Sequence, residues 1–199
     1  MTPRLARLDR AATGRRVLVY LGLVGALLAA ANVAGTIFYH GNGGLGFLDF
    51  RGAPNALTQD EPYTAERALD LISAWGPAGR RAQLLFTLLI DIALPAAGLA
   101  FSALALLHVM RHLDAPPWLR YVVLILPLAY LLADYGENVG ITALVLTHPH
   151  LLVGVAETTA WFNVAKVYTL EATLTVITVS YIAVLLRRLA NLHSRSTGG

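Results

Sequence analysis

The stretch YVVLILPLAYLLADYGENVGITALVLT, residues Tyr121–Thr147, decides the fold class of this chain. It is apolar at both ends and long enough to cross a bilayer, which requires about 20 helical residues. Yet Asp134, Glu137 and Asn138 lie near its middle. Because a charged side chain at the centre of a bilayer costs about 2.5–3.5 kcal/mol, these residues need partners inside the membrane. The stretch therefore predicts a membrane-spanning helix that carries part of a buried polar site.

The composition of the whole chain points to the same class of protein. Of the 199 residues, 56% are hydrophobic and 14% are charged, and the mean hydropathy is +0.60. Soluble domains usually contain about 25% charged residues. The absence of cysteine excludes disulfides, thiolate metal ligands and cysteine nucleophiles. The net charge of +3 comes mostly from arginines near the two ends, which predicts membrane lipids, and not nucleic acid, as partners.

Four apolar stretches are each long enough to span a bilayer as a helix. They lie at about residues 17–38, 83–110, 119–147 and 158–186. We therefore predict an all-α fold, a polytopic four-helix bundle in which residues 1–199 form a single membrane domain.

The arginines predict the orientation of this bundle. They cluster before the first span, between the second and third spans, and after the fourth span, which is one side of the membrane for a four-span protein. The positive-inside rule makes that side cytoplasmic, so we expect a multi-pass protein of the cell (inner) membrane with both termini in the cytoplasm. The clustered residues are Arg4, Arg7, Arg10, Arg15, Arg16, Arg111, Arg120, Arg187, Arg188 and Arg195.

A cleaved signal peptide is the alternative interpretation of the first span. The sequence LGLVGALLAAANVAG, residues 21–35, contains the small residues that a signal peptidase accepts. The length of the apolar run and the 16-residue leader before it favour a retained span.

The loop after the first span contains a predicted amphipathic helix at about residues 64–76. Thr64 is a good N-cap residue, and Gly76 followed by Pro77 is a stop signal. The predicted orientation makes this helix extracytoplasmic, where it would lie in the interface or pack over the bundle. Its apolar residues recur at helical spacing: Ala65, Ala68, Leu69, Ile72 and Trp75.

Polar residues of three predicted spans fall at a similar depth when depth is counted at 1.5 Å per helical residue. Asn32, near the outer end of the first span, is a candidate neighbour. Asn163 and Lys166 share a face of the last span, whereas Glu171 points about 140° away from Lys166 and is expected to face a different gap. The set comprises Asp91, Asp134, Glu137, Asn138, Lys166 and Glu171.

The third span has two distinct faces. Asp134, Glu137 and Asn138 share one side, and Gly136 and Gly140 fall on the opposite side. Small residues four apart let another helix approach closely. We therefore expect the glycines to pack against one neighbouring helix and the carboxylates to face another.

The polar set contains more acid than base. Lys166 is the only lysine of the chain and neutralises one carboxylate. The other carboxylates must be protonated or compensated by a cation or a water-filled cavity. A divalent cation is therefore a candidate cofactor, with Asp91, Asp134 and Glu137 as candidate ligands. Pro95 removes the backbone donor for the Asp91 carbonyl, so the helix is expected to loosen there.

Two pairs of residues flank the predicted outer entrance to this site. Arg80 and Arg81 lie at the outer mouth of the second span, where they would bind lipid phosphate or simply anchor the helix in the interface. His148 and His150 lie in the loop between the third and fourth spans, where they would guard an entrance, bind a metal or form a plain polar turn.

His108 and His112 are four residues apart at the cytoplasmic end of the second span. This spacing can hold a metal on one helix face. No third ligand is evident in the sequence, so a solvated helix end is the favoured interpretation.

The chain resembles a family of small four-span membrane proteins without an assigned activity. The matching positions in the amphipathic helix and the second span are Tyr63, Thr64, Gly76, Gly79, Arg80, Asp91 and Pro95. An Asp-x-x-Glu-Asn motif and a lysine in the last span are also similar, at Asp134, Glu137, Asn138 and Lys166. The resemblance covers about residues 47–170, and it implies the architecture and a shared site but no particular activity.

Three functions fit this sequence. The first is binding or movement of a proton, a cation or a cationic solute by the acidic set, and a homo-oligomer is then expected because four helices are few for a transporter. The second is an intramembrane enzyme for a lipid-like substrate, with a carboxylate as general base and Lys166 stabilising an anion. The third is a structural or assembly factor. The sequence contains no serine–histidine–acid pattern, P-loop or dinucleotide fingerprint that would identify a reaction. It therefore does not decide whether the protein is an enzyme.

Overall fold

The computed structural model of the chain describes Arg7, residues 10–39 and residues 62–196. Helix is the only regular secondary structure within these residues, which confirms the predicted all-helical class for this part of the chain. A π-helical turn, Thr87–Asp91, connects the third and fourth helices. The helices are α1 (Gly14–Tyr39), α2 (Ala65–Ala74), α3 (Gly76–Phe86), α4 (Ala93–His112), α5 (Pro117–Val122), α6 (Ile125–Thr147) and α7 (Val153–Ser196).

Four helical stretches are long and apolar enough to cross a membrane. The second consists of α3, the π-helical turn and α4, and the third consists of α5 and α6. The last is far longer than the roughly 20 residues that a bilayer requires. The stretches are Gly14–Ala31, Gly76–His112, Pro117–Thr147 and Val153–Leu192.

Helix α4 lies at the centre of the packing. It packs against α1, α6 and α7, while α6 and α7 form the most extensive helix pair. Helix α1 makes its main contacts with α4. Val17 packs in a cluster with Leu106 and Ile177, and Ala31 packs with Phe86. The polar residues of α6 and α7 are therefore enclosed between these two helices and α4.

Helix α2, which corresponds to the predicted amphipathic helix, covers one end of the α6–α7 pair. The hydroxyl of Thr64 caps it by accepting a hydrogen bond from the N–H of Arg67 at 3.2 Å. Gly76 follows the helix with a φ of +63°, a backbone conformation that glycine adopts without strain. The apolar face of α2 packs on the ends of α6 and α7, in a cluster of Ala65, Ala68, Leu71, Ile72, Ile141, Leu144, Val145, Ala156 and Ala160.

Candidate functional site

Glu137 is the centre of a buried polar cluster between α6 and α7. Its side chain lies near the middle of α6, and the residue is only 2% exposed. Lys166 Nζ donates a hydrogen bond to Glu137 Oε2, and Asn163 Nδ2 donates to Glu137 Oε1 at 2.6 Å. Asn163 is fully buried. Both carboxylate oxygens therefore have a donor from α7, which identifies Glu137 as the best-satisfied acid of the cluster.

Asp134 lies one turn before Glu137 and shares the same lysine. Its Oδ1 is 3.7 Å from Lys166 Nζ, and its Oδ2 accepts a hydrogen bond from Asn138 Nδ2 at 3.1 Å. Asp134 and Asn138 are both buried. One ammonium group thus serves two carboxylates, and its contact with Asp134 is the longer of the two.

Asp91 joins the cluster from the π-helical turn before α4. Its backbone carbonyl accepts a hydrogen bond from Asn138 Nδ2 at 3.3 Å. Pro95 cannot supply the N–H that this carbonyl would meet in a regular α-helix, so a side chain of α6 takes that place. The half-buried carboxylate of Asp91 is close enough to Lys166 and Glu137 for their charges to act on it. The loosening expected from Pro95 takes the form of the π-helical turn.

The two glycines of α6 bring α7 close to the site. A Cβ atom on Gly140 would lie 1.8 Å from Thr159 Oγ1, and one on Gly136 would lie 2.8 Å from the ring of Phe162. Glycine therefore permits a contact that any side chain would block. The glycines and Glu137 face the same helix, α7, whereas the sequence pattern placed them against different neighbours. The reason is that α7 covers a broad sector of the α6 surface.

Tyr63 is a part of this region to which the sequence pattern assigned no role. It precedes α2, is 7% exposed, and its hydroxyl has no hydrogen-bond partner among the described residues. Burial raises the pKa of this hydroxyl, and the nearby charge of Glu137 raises it further. Tyr63 therefore stays neutral and presents an unused donor close to the acidic cluster. Only the family resemblance had singled it out.

The remaining predicted residues lie apart from the cluster. Glu171 is exposed on the outer face of α7. Arg80 Nη1 donates to the carbonyl of Ile72 at 3.2 Å, which ties α3 to α2, and Arg81 is exposed. His148 Nε2 lies 2.9 Å from Ser73 Oγ, and His150 is exposed. Of the predicted entrance residues, Arg80 and His148 thus contact α2. The side chain of Asn32 lies outside the described part of the chain.

The described residues contain no group of three histidine, cysteine, aspartate or glutamate side chains that could hold a metal ion. Within the described residues, the candidate metal ligands Asp91, Asp134 and Glu137 are therefore not grouped as a metal site, and Lys166 contacts Asp134 and Glu137. Three carboxylates against one ammonium group leave a net charge of −2 when all are ionised. The cluster therefore carries more negative than positive charge, and Asp91 and Asp134 are the acids least neutralised by Lys166.

Comparison of the chain with family models, with curated proteins and with solved structures gives no match. The resemblance to small four-span membrane proteins therefore rests on the residues that suggested it. The function has to be argued from the geometry of the site.

Proposed function

We propose that this chain is an integral protein of the cell (inner) membrane, with both termini in the cytoplasm and α2 on the extracytoplasmic side. Four helical stretches of sufficient length and apolarity support this. So do large apolar side chains on the outer faces of the helices, such as Leu18, Val139, Leu146 and Leu186, which would be a liability in water. An even number of spans puts the arginine-rich ends on one side, the side that the positive-inside rule makes cytoplasmic.

Within this protein, the acidic cluster binds a proton or a small cation, or a cationic solute, at Asp91 and Asp134. The main support is that a single lysine, Lys166, faces three carboxylates. Two of these carboxylates, those of Asp134 and Glu137 on α6, are in contact with it. Glu137 is saturated by Lys166 and Asn163. An added positive charge next to Asp91 and Asp134 would reduce the uncompensated negative charge, which is costly inside a membrane. The unused hydroxyl of Tyr63 supplies a neutral polar group beside the cluster.

The enzymatic alternative has less support. In that role, Lys166 would have to stabilise an anion on a substrate. Its ammonium group instead contacts Glu137 and Asp134, so a substrate would have to displace one of these carboxylates. The structural alternative rests on the same hydrogen bonds, because they connect α6 to α7 and to the π-helical turn. An experiment therefore has to distinguish binding from structural stabilisation.

Proton uptake by the purified protein in detergent tests this proposal. We expect the wild-type protein to take up a proton as the pH is lowered, and to show the infrared carbonyl band of a protonated carboxyl group. Asp134→Asn or Asp91→Asn should remove this uptake. Asp70→Asn, which changes an exposed carboxylate of α2, is the matched control and should keep it. Uptake that persists unchanged in both cluster variants would overturn the assignment to Asp91 and Asp134.

A second readout covers cations other than the proton. Thermal unfolding in the presence of Na⁺, K⁺ or tetraphenylphosphonium should show stabilisation by whichever ion the site binds, since a ligand that binds only the folded state raises its stability. This stabilisation should be absent in Asp134→Asn. If both cluster variants fail to fold while Asp70→Asn folds normally, and Asp134→Glu folds without proton uptake or ion binding, the structural alternative is supported.

We also propose that the chain forms a homo-oligomer through the outer face of α7. Glu171 lies in the middle of this long apolar helix, is exposed, and has no partner among the described residues. Tyr168, Thr175 and Thr178 are exposed on the same side and have no hydrogen-bond partner in the described part of the chain. By contrast, other threonines of α7, such as Thr158, donate to the carbonyl four residues earlier. A second copy would supply matched donors and acceptors for this stripe.

A further inference from the structure

A second polar site lies toward the C-terminal end of α7, away from helix α2. It is a cleft of about 400 Å³ between α4 and α7. Its polar lining consists of His108, His112, Tyr181 and Arg188, and aliphatic side chains such as Val109 and Leu185 complete the wall. Tyr181 is fifteen residues beyond Lys166 on α7, which is about 22 Å along the helix axis. The cleft is therefore separate from the acidic cluster.

Arg188 is the cation of this cleft that has no assigned contact. Its guanidinium group makes no hydrogen bond or ion pair with any residue in the described ranges, 10–39 and 62–196. The neighbouring Arg187 is already engaged, because its Nη1 lies 2.7 Å from Asp114 Oδ2 and donates to the carbonyl of His112 at 3.3 Å. The adjacent arginines thus differ: Arg187 joins α7 to the end of α4, and Arg188 lines the cleft.

The surroundings of the cleft carry an excess of positive charge. Arg188, Arg111 and the neighbouring His108 are close enough to His112 for their charges to act on it. The rings of His108 and His112 meet edge to face, with their centroids 4.6 Å apart. Asp114 is the acidic group that acts on His112, and it is already paired with Arg187. An anion that entered the cleft would meet donors of positive or neutral charge and no free carboxylate among its lining residues.

We propose that this cleft binds the phosphate group of an anionic membrane lipid. Arg188 contacts the phosphate, His112 and the Tyr181 hydroxyl supply further donors, and the acyl chains lie along the aliphatic wall formed by residues such as Val109 and Leu185. A soluble phosphate compound would use the same donors but would leave that wall uncovered. The inference rests on the proposed membrane location, which puts this end of α7 at the cytoplasmic surface, where anionic lipids are found.

Native mass spectrometry of the protein in a neutral detergent tests the proposal. Phosphatidylglycerol, phosphatidylcholine and inorganic phosphate are the probes. We expect the wild-type protein to bind phosphatidylglycerol at least about tenfold more tightly than Arg188→Gln, since a charge-assisted hydrogen bond contributes enough for that ratio. Arg187→Gln removes the same charge one residue away and should bind as the wild type does. Phosphatidylcholine should bind weakly to all three proteins.

Two outcomes would overturn the proposal. One is equal loss of phosphatidylglycerol binding in Arg187→Gln and Arg188→Gln, which would mean general attraction by a basic surface. The other is wild-type binding of inorganic phosphate that matches the lipid, which would make the ligand a soluble anion. Asp134→Asn should bind phosphatidylglycerol normally, and Arg188→Gln should retain proton uptake. Failure of the acidic site and failure of the lipid cleft are therefore observed in different variants and different measurements.

Discussion

At the scale of single residues, Lys166 is the counter-charge of the acidic cluster. It is the only ammonium group of the acidic cluster and contacts both Glu137 and Asp134. Removing one partner of a buried ion pair leaves an uncompensated charge, which typically costs about 3–5 kcal/mol. Loss of the lysine and loss of the glutamate are not equivalent. Without Lys166, two carboxylates lose their counter-charge, whereas without the Glu137 charge Lys166 still pairs with Asp134.

We therefore predict that Lys166→Met lowers the free energy of unfolding by about 3–5 kcal/mol, and that Glu137→Gln lowers it less. The double variant should be more stable than Lys166→Met alone, because it removes one stranded charge together with its partner. Unfolding in mixed detergent micelles measures these values. The control is Asp114→Asn, which breaks an ion pair whose side chains are 52% and 74% exposed and should change stability by less than about 1 kcal/mol. A Lys166→Met protein as stable as the wild type would contradict its role as counter-charge.

The residues of the acidic cluster show what sequence could and could not predict. Helical counting placed Asp91, Asp134, Glu137 and Lys166 at one level, and the structure brings them together. The predicted set also included Glu171, although counting gave it a different facing, and the structure places it on the exposed face of α7. Helical counting could not predict the position of Tyr63, because the packing of α2 on α6 and α7 determines where its hydroxyl lies.

At the scale of elements, the close approach of α6 and α7 depends on Gly140. The sequence predicted a face for close packing but not which helix would pack there, because periodicity gives directions around one helix and not the identity of its neighbour. The structure shows that the neighbour is α7, with Thr159 directly over Gly140.

We predict that Gly140→Ala destabilises the protein by about 1–3 kcal/mol, because the added methyl group would overlap Thr159 and force the two helices apart. Gly22→Ala on α1 is the matched control, since nothing lies within 4 Å of a Cβ atom there. Gly22→Ala should leave stability unchanged or raise it slightly, as expected for alanine in a helix. Equal thermal stability of the Gly140→Ala and Gly22→Ala variants would contradict the close approach of α6 and α7 at Gly140.

The π-helical turn couples Pro95 to Asn138. In Pro95→Ala, the new backbone N–H could bond to the Asp91 carbonyl and replace the side chain of Asn138. We predict that Asn138→Ala costs less stability in the Pro95→Ala background than in the wild type, with a coupling energy of about 0.5–3 kcal/mol in a double-mutant cycle. Additive effects would show that the Asn138 amide does not compensate for the missing donor.

At the scale of the whole molecule, the proposed even number of spans puts both ends of the bundle on the same side of the membrane. Because the chain contains no cysteine, single cysteines can report which side each loop faces without any background. We predict that His150→Cys, in the loop between α6 and α7, reacts with a membrane-impermeant thiol reagent in intact cells. Asp114→Cys, in the turn between α4 and α5, should react only after the membrane is permeabilised. The reverse labelling pattern would invert the orientation and place α2 in the cytoplasm.

The association of whole molecules should depend on Glu171. We predict that Glu171→Leu weakens the proposed oligomer about 3- to 30-fold, the range expected when an interhelical hydrogen bond in a membrane is lost. Glu157→Leu changes an exposed glutamate near the start of the same helix and serves as the control. The oligomer fraction measured against protein concentration in detergent provides the comparison. A wild-type protein that remains monomeric at high concentration would contradict this interface.

Helix α7 is so long that a small tilt at the acidic cluster would move its C-terminal end by several ångströms. The helix runs from Val153 to Ser196 without a proline, the residue that most often kinks a helix. From Lys166 to its last residue it extends for 30 residues, or about 45 Å. A tilt of about 5° at the level of Lys166 would therefore displace the C-terminal end of α7 by about 4 Å. A movement of this size would change the contacts of any molecule bound at that end. A change of one charge at the acidic cluster that tilted α7 would therefore have its largest effect at the C-terminal end of this helix.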